Sequence, residues 1–143
     1  MTIRQQIEQM YTYMCRQEAL YGEWAKRRGI SYHTMMTLYA LDQEQPCTQK
    51  QIAEEWMVPK QTVNTIVKNL ERQGYLVFTA GRDQKEKLIS FTEAGRAYAR
   101  QYLGELYERE ERAMEAIHEP LRQALLEGMR IFTEAFAWEV HHE

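Results

Sequence analysis

TQKQIAEEWMVPKQTVNTIVKNLERQGYLVFTAGRDQKEKLISFT, residues 48–92, decides the fold. Thr48-Gln49-Lys50-Gln51 has the form of a capping box, in which the threonine hydroxyl accepts from one orphan amide and Gln51 reaches back to another. A short helix carrying Ile52, Ala53 and Trp56 follows. Pro59 fixes the backbone for a first helical turn, after which Val63, Ile66, Val67 and Leu70 fall at i, i+3, i+4 and i+7, the apolar stripe of a second helix. Gly74 ends that helix. The period then changes: Tyr75–Thr79 and Leu88–Thr92 are rich in aromatic and β-branched residues, and the polar loop Ala80–Lys87 joins them as a hairpin. Helix, tight turn, helix and hairpin in this order make a winged helix-turn-helix.

Long helices flank this unit. Ile3, Ile7, Met10, Met14, Tyr21 and Trp24 form one stripe, closed near Gly29 after Lys26, Arg27 and Arg28, whose cations suit a helix C-terminus. Ser31 caps the next helix, which runs through Met35, Leu38, Tyr39 and Leu41 and stops before Pro46. Thr92 caps a helix carrying Tyr98, Tyr102, Leu106, Met114 and Ile117, and Pro120 interrupts it. Leu121, Leu125, Met129, Phe132, Phe136 and Val140 mark a last amphipathic helix. The expected fold is therefore mainly α with a small β-hairpin, one domain over residues 1–143. The winged helix-turn-helix spans about 31–92, and dimerisation helices span about 1–29 and 93–142. Each terminal stripe has little partner surface within one chain, and a second copy would bury both.

Composition agrees with an ordinary folded protein: 44% hydrophobic, 27% charged and 11% aromatic over 143 residues. No run approaches the roughly 18 apolar residues that span a bilayer, and MTIRQQIEQM lacks a secretory apolar core, so a cytoplasmic location without membrane contact is expected. The net charge of −3 is unevenly spread. Lys and Arg outnumber Asp and Glu seven to five in residues 48–92, whereas residues 93–143 hold six against eleven. Positive charge thus concentrates where DNA would bind.

The second helix of the motif carries the chemistry. Lys60, Gln61, Thr62, Asn64, Thr65 and Lys68 point outward, and no acidic residue intervenes before Glu71. Gln61, Asn64 and Thr65 suit base edges, because an amide pairs bidentately with adenine and a hydroxyl serves several bases. Lys60, Lys68 and Arg72 suit phosphates, as do Thr48, Gln49 and Lys50 around the orphan amides of the preceding helix. In the hairpin tip Gly81-Arg82-Asp83-Gln84-Lys85-Glu86-Lys87, the cations Arg82, Lys85 and Lys87 are placed for the minor groove, whose negative potential attracts them.

The segments TQKQIAEEW, PKQTVNTIVKNLERQGYL and DQKEKLISFTEAGRAYA together resemble the MarR family of bacterial regulators. The resemblance implies a homodimer with interleaved terminal helices, whose two lobes address the half-sites of a pseudo-palindromic operator, with Lys60, Gln61, Thr62, Asn64, Thr65 and Lys68 as recognition-helix contacts. The wing departs from the family pattern of Asp, any residue, Arg: here it reads Asp83-Gln84-Lys85, and lysine lacks arginine's planar fork. The resemblance also implies repression by promoter occlusion, relieved when an aromatic or phenolic ligand favours a lobe spacing mismatched to successive major grooves.

Candidate residues for such a ligand are Tyr11, Trp24, Tyr32, Met36 and Tyr39, with Arg16, Arg28 and His33 as anion partners; the competing reading is that the rings fill the core. Cys15 and Cys47 are expected to be buried, inert thiols, with a thiol-based redox switch as the alternative. His33, His118, His141 and His142 form no ligand-spaced pair, so no metal is expected. No phosphate loop or nucleophile elbow is present, so neither catalysis nor a cofactor is expected. The rival from another class is a winged-helix module for protein-protein contact.

Overall fold

The computed structural model describes residues 1–43, 45–83 and 85–143. Its elements are α1 (Ile3–Arg27), α2 (Tyr32–Gln43), α3 (Gln49–Glu55), α4 (Lys60–Arg72), β1 (Leu76–Ala80), β2 (Lys87–Phe91), α5 (Glu93–Glu115) and α6 (Leu121–His141). Two compact units emerge, residues 1–104 and residues 105–143. No helix among the described residues is long and apolar enough to cross a membrane.

Side chains fix the starts of α1, α2, α3 and α5. Thr2 and Thr48 each complete a capping box, with Gln5 and Gln51 respectively: Thr48 Oγ1 accepts from the Gln51 amide at 3.1 Å, and Gln51 Oε1 accepts from the Thr48 amide at 2.8 Å. Ser31 Oγ accepts from the Thr34 amide at 3.1 Å. Helices α1 and α4 end alike. Gly29 (φ 70°) and Gly74 (φ 83°) take the left-handed conformation, and the glycine's own amide and the one after it fold back onto the last turn: Gly74 donates to Glu71 O at 2.9 Å and Tyr75 to Leu70 O at 2.9 Å. Pro59 lies one residue earlier than expected, at the N-cap of α4 with ψ 135°, so the helix begins at Lys60.

The first unit has its core where α2, α3, α4 and the hairpin meet. Met35, Leu38, Leu41, Ile52, Val63, Val67 and Ile89 are fully buried, together with Leu70, Leu76 and Phe91. Val63, Ile66, Val67 and Leu70 are the buried stripe of α4, as its period requires. In the antiparallel hairpin Leu76 faces Phe91 and Phe78 faces Ile89, so alternate residues of both strands share the core face. Each strand is displaced one residue from its sequence expectation.

Two features of the hairpin's surroundings were not apparent in the sequence. Cys47 forms a one-residue antiparallel bridge with Ile89, donating to its carbonyl at 3.2 Å and accepting from its amide at 2.7 Å, while Gln45 Oε1 accepts from the Phe91 amide at 2.9 Å. The far edge of β2 is thereby covered. Thr92 joins the end of α4 to the start of α5: its hydroxyl donates to Gly74 O at 2.7 Å and accepts from the Gly95 amide at 3.0 Å, and its own amide donates to Tyr75 O at 3.0 Å. Tyr75 then stacks on Tyr98 (4.2 Å, 13°), which meets Tyr102 edge-on at 5.2 Å.

In the second unit α6 buries no residue. Leu125, Met129, Phe132, Phe136 and Val140 are all exposed, as are Ile3, Met10 and Met14 of α1 in the first unit. Cys15 is exposed as well, contrary to expectation, because α1 contributes little to the core before its last turns, where Ala25 is buried. Cys47 is buried as expected, beside the bridge to β2.

Candidate nucleic-acid interface

Helix α4 presents one polar face. With Val63, Ile66, Val67 and Leu70 turned inward, Gln61, Thr65, Lys68 and Arg72 recur at i, i+4, i+7 and i+11 on the opposite side, and all four are exposed. Lys60 is exposed at the first turn, and Asn64 and Thr62 flank the face half-buried. Side-chain chemistry sorts them further. Thr65 Oγ1 donates to Gln61 O at 3.1 Å, so its proton is used within the helix and only its oxygen remains to accept. Among the nominated base readers, Gln61 and Asn64 therefore offer both donor and acceptor.

The N-terminus of α3 holds Thr48, Gln49 and Lys50. Thr48 spends its hydroxyl on the capping box, Gln49 is half-buried, and Lys50 is exposed with Glu54 4.0 Å away. An ion pair so open to solvent exerts little hold on Lys50, which is available to a phosphate.

The wing projects Arg82, Lys85 and Lys87, all exposed. Its tip is closed by Gly81 N–H donating to Glu86 O and Glu86 N–H donating to Asp83 O, both at 2.9 Å. The Asp83 carboxylate accepts from the Lys85 amide at 3.4 Å. Gln84, the middle residue of Asp83-Gln84-Lys85, lies outside the described residues. Lys87 Nζ sits 5.9 Å from the Phe78 ring centroid, so its stem lies along the hairpin, while Arg82 and Lys85 stand at the tip. The unit thus carries three cationic edges: the start of α3, the outer face of α4 and the wing.

The residues nominated for a ligand divide into separate contacts. Tyr11 and Arg16 are exposed on α1. The Arg28 guanidinium lies 3.1 Å over the Trp24 ring. Tyr32 packs against His33 (5.6 Å), and its phenol is pushed up by burial and secondly by the Glu18 carboxylate. Tyr39 packs on Trp56 at 5.3 Å, as core filler would, and Met36 is half-buried.

An open cleft of about 150 Å³ lies elsewhere, lined by Thr34, Ile66, Asn69, Leu70, Gln73 and Tyr98. None of these was nominated. The pair Asn69 and Gln73, spaced i, i+4 beside the apolar stripe of α4, is the sequence signal that could have marked it. Tyr98, which lines this cleft, has its phenol pushed up to about 12 by burial, then by its hydrogen bond with Tyr102. Among the described residues no group of three His, Cys, Asp or Glu side chains is placed to hold a metal.

A family model described as MarR family matches residues 28–86, the stretch from the end of α1 to the wing tip. Among solved structures, a MarR family regulator from Neisseria meningitidis is 26% identical, with 99% of this chain and 98% of that chain covered and a TM-score of 0.76. The transcriptional regulator BldR from Sulfolobus solfataricus is 18% identical, with 94% and 99% covered and a TM-score of 0.72. Staphylococcus aureus MarR in complex with salicylate and kanamycin is 14% identical, with 98% and 93% covered and a TM-score of 0.66. No curated protein sequence matches the chain.

Proposed function

We propose that the chain, whose residues 28–86 match the MarR family model, is a member of that family and a homodimeric transcription regulator that binds a pseudo-palindromic site in double-stranded DNA. The observation that carries the reading is the outer face of α4. Gln61, Thr65, Lys68 and Arg72 form a polar, cationic line with Asn64 beside it, on a helix whose other side is anchored in the core. A rigid helix with that face fits the major groove, with Gln61 and Asn64 at base edges and Lys60, Lys68 and Arg72 at phosphates. Thr48, Gln49 and Lys50 would meet the adjoining backbone, and Arg82, Lys85 and Lys87 the flanking minor groove. A module used only for protein contact gives no reason for three cationic edges around one helix in a chain of net charge −3.

Selection from a pool of random duplexes tests the base-reading role. The wild type is expected to enrich a pseudo-palindrome, and Asn64→Ala to lose about 1–3 kcal/mol at one base pair per half-site while keeping its affinity for unrelated DNA. Equal losses on all duplexes would remove Asn64 from base reading.

Control by a small aromatic acid is part of the same proposal. It draws on the salicylate complex of the Staphylococcus aureus protein and on the cleft against α4, which Asn69, Gln73 and Tyr98 help to line. Salicylate added to the binding assay is expected to weaken operator affinity; unchanged affinity at saturation would count against this ligand class.

A further inference from the structure

The turn between α3 and α4 contains a residue that folding alone does not explain. Met57 has φ 53°, the only left-handed backbone among the non-glycine residues described, and its side chain is 84% exposed. Both neighbours are anchored. Trp56 donates its amide to Ile52 O at 3.1 Å and packs its ring on Tyr39, while Val58 is buried at 3% exposure and Pro59 caps α4. With 56 and 58 held, Met57 projects from the apex of the turn. Glycine or asparagine adopts this conformation with far less strain, and a long apolar side chain in water contributes no burial to the fold. Methionine here is unfavourable twice over for stability.

Position suggests what it serves. The turn leads directly into Lys60 and Gln61, and a recognition helix enters the groove with its N-terminal residues at base edges. Around Met57 the candidate contacts are polar or charged. On the major-groove edge of DNA the apolar group is the thymine C5 methyl, and an unbranched, polarisable thioether adapts readily to it. We propose that Met57 is a specificity-determining residue that packs on a thymine methyl in each half-site. This inference rests on the DNA-binding reading above.

The test uses a duplex that the full-length wild type selects from a random pool, with each thymine replaced in turn by deoxyuridine to delete one methyl. Wild type is expected to lose about fourfold in affinity per half-site at one symmetry-related position, the effect of one buried methyl-sized group. Met57→Gly and Met57→Asn, which suit the turn, are expected to bind the thymine and uracil duplexes equally and to melt at least as high as wild type. Thymine sensitivity that persists in both variants, or that is missing in wild type, overturns the role of Met57 and leaves DNA binding intact. Failure of wild type to select any duplex overturns the DNA-binding reading with it.

Discussion

Gly95→Ala will unfold the protein at a temperature roughly 4–8 °C lower than wild type, although the substitution lies inside a helix where alanine is ordinarily the better residue. A Cβ at Gly95 would run into the Tyr75 carbonyl oxygen, with the carbonyl carbon at 2.7 Å and Cα at 3.0 Å. These are backbone atoms with little freedom. The Tyr75 carbonyl also accepts from the Thr92 amide, and the residue is stacked on Tyr98, so neither side can retreat without breaking the junction between α4 and α5. Overpacking of this kind costs about 3 kcal/mol, against a gain of about 1 kcal/mol from helix propensity. For a chain of this size each kcal/mol shifts Tm by roughly 2–4 °C. Gly104→Ala supplies the control. It lies in the same helix with nothing within 4 Å of its added Cβ, and it is expected to raise Tm slightly. A thermal melt in which both variants behave alike would remove the close approach as the cause.

In the homodimer proposed above, placing a charge on α6 is expected to separate the subunits and abolish tight operator binding while leaving the helix-turn-helix folded. Phe132 and Phe136 stack at 5.8 Å in the middle of the exposed stripe, 41% and 57% exposed in the single chain. Burying side chains of this size contributes about 1.5–3 kcal/mol each, and the Phe132→Glu/Phe136→Glu pair replaces that gain with two carboxylates to desolvate. Analytical ultracentrifugation is expected to show the particle mass halved with an unchanged circular dichroism spectrum. Affinity should fall at least 100-fold, because linking two half-site readers converts the second contact into an intramolecular one. Persistence of a dimer, or a monomer that binds as tightly as wild type, would contradict the assembly proposed here.

Residues whose environment is local were legible in the sequence. The capping box at Thr48 and the caps at Ser31 and Thr92 involve partners three residues away, and the α4 stripe is a matter of period alone. The hairpin was legible for the same reason, through β-branched and aromatic residues on either side of a polar loop. Contacts between distant segments were not legible. The Cys47 bridge to Ile89 is a single rung with no periodicity to announce it, and the need for glycine at 95 arises from a carbonyl twenty residues earlier. The left-handed backbone of Met57 contradicts its residue type, so local propensity pointed away from it. Cys15 is expected to be an inert, buried thiol because no cation is placed to activate it, but the described residues of α1 are mostly exposed before its last turns, and Cys15 with them. For the candidate site, the face of α4 followed from the sequence, whereas the cleft joining Thr34, Asn69, Gln73 and Tyr98 required three helices to be brought together.

The salt dependence of binding to the selected duplex tests the central claim most directly. With Lys60, Lys68 and Arg72 of two subunits on phosphates, fluorescence anisotropy should show log K falling with log salt at a slope of about −5 or steeper. Lys68→Ala should reduce that slope by about 2 per dimer. A slope near zero, or a slope untouched by removing Lys68, would contradict DNA binding through α4.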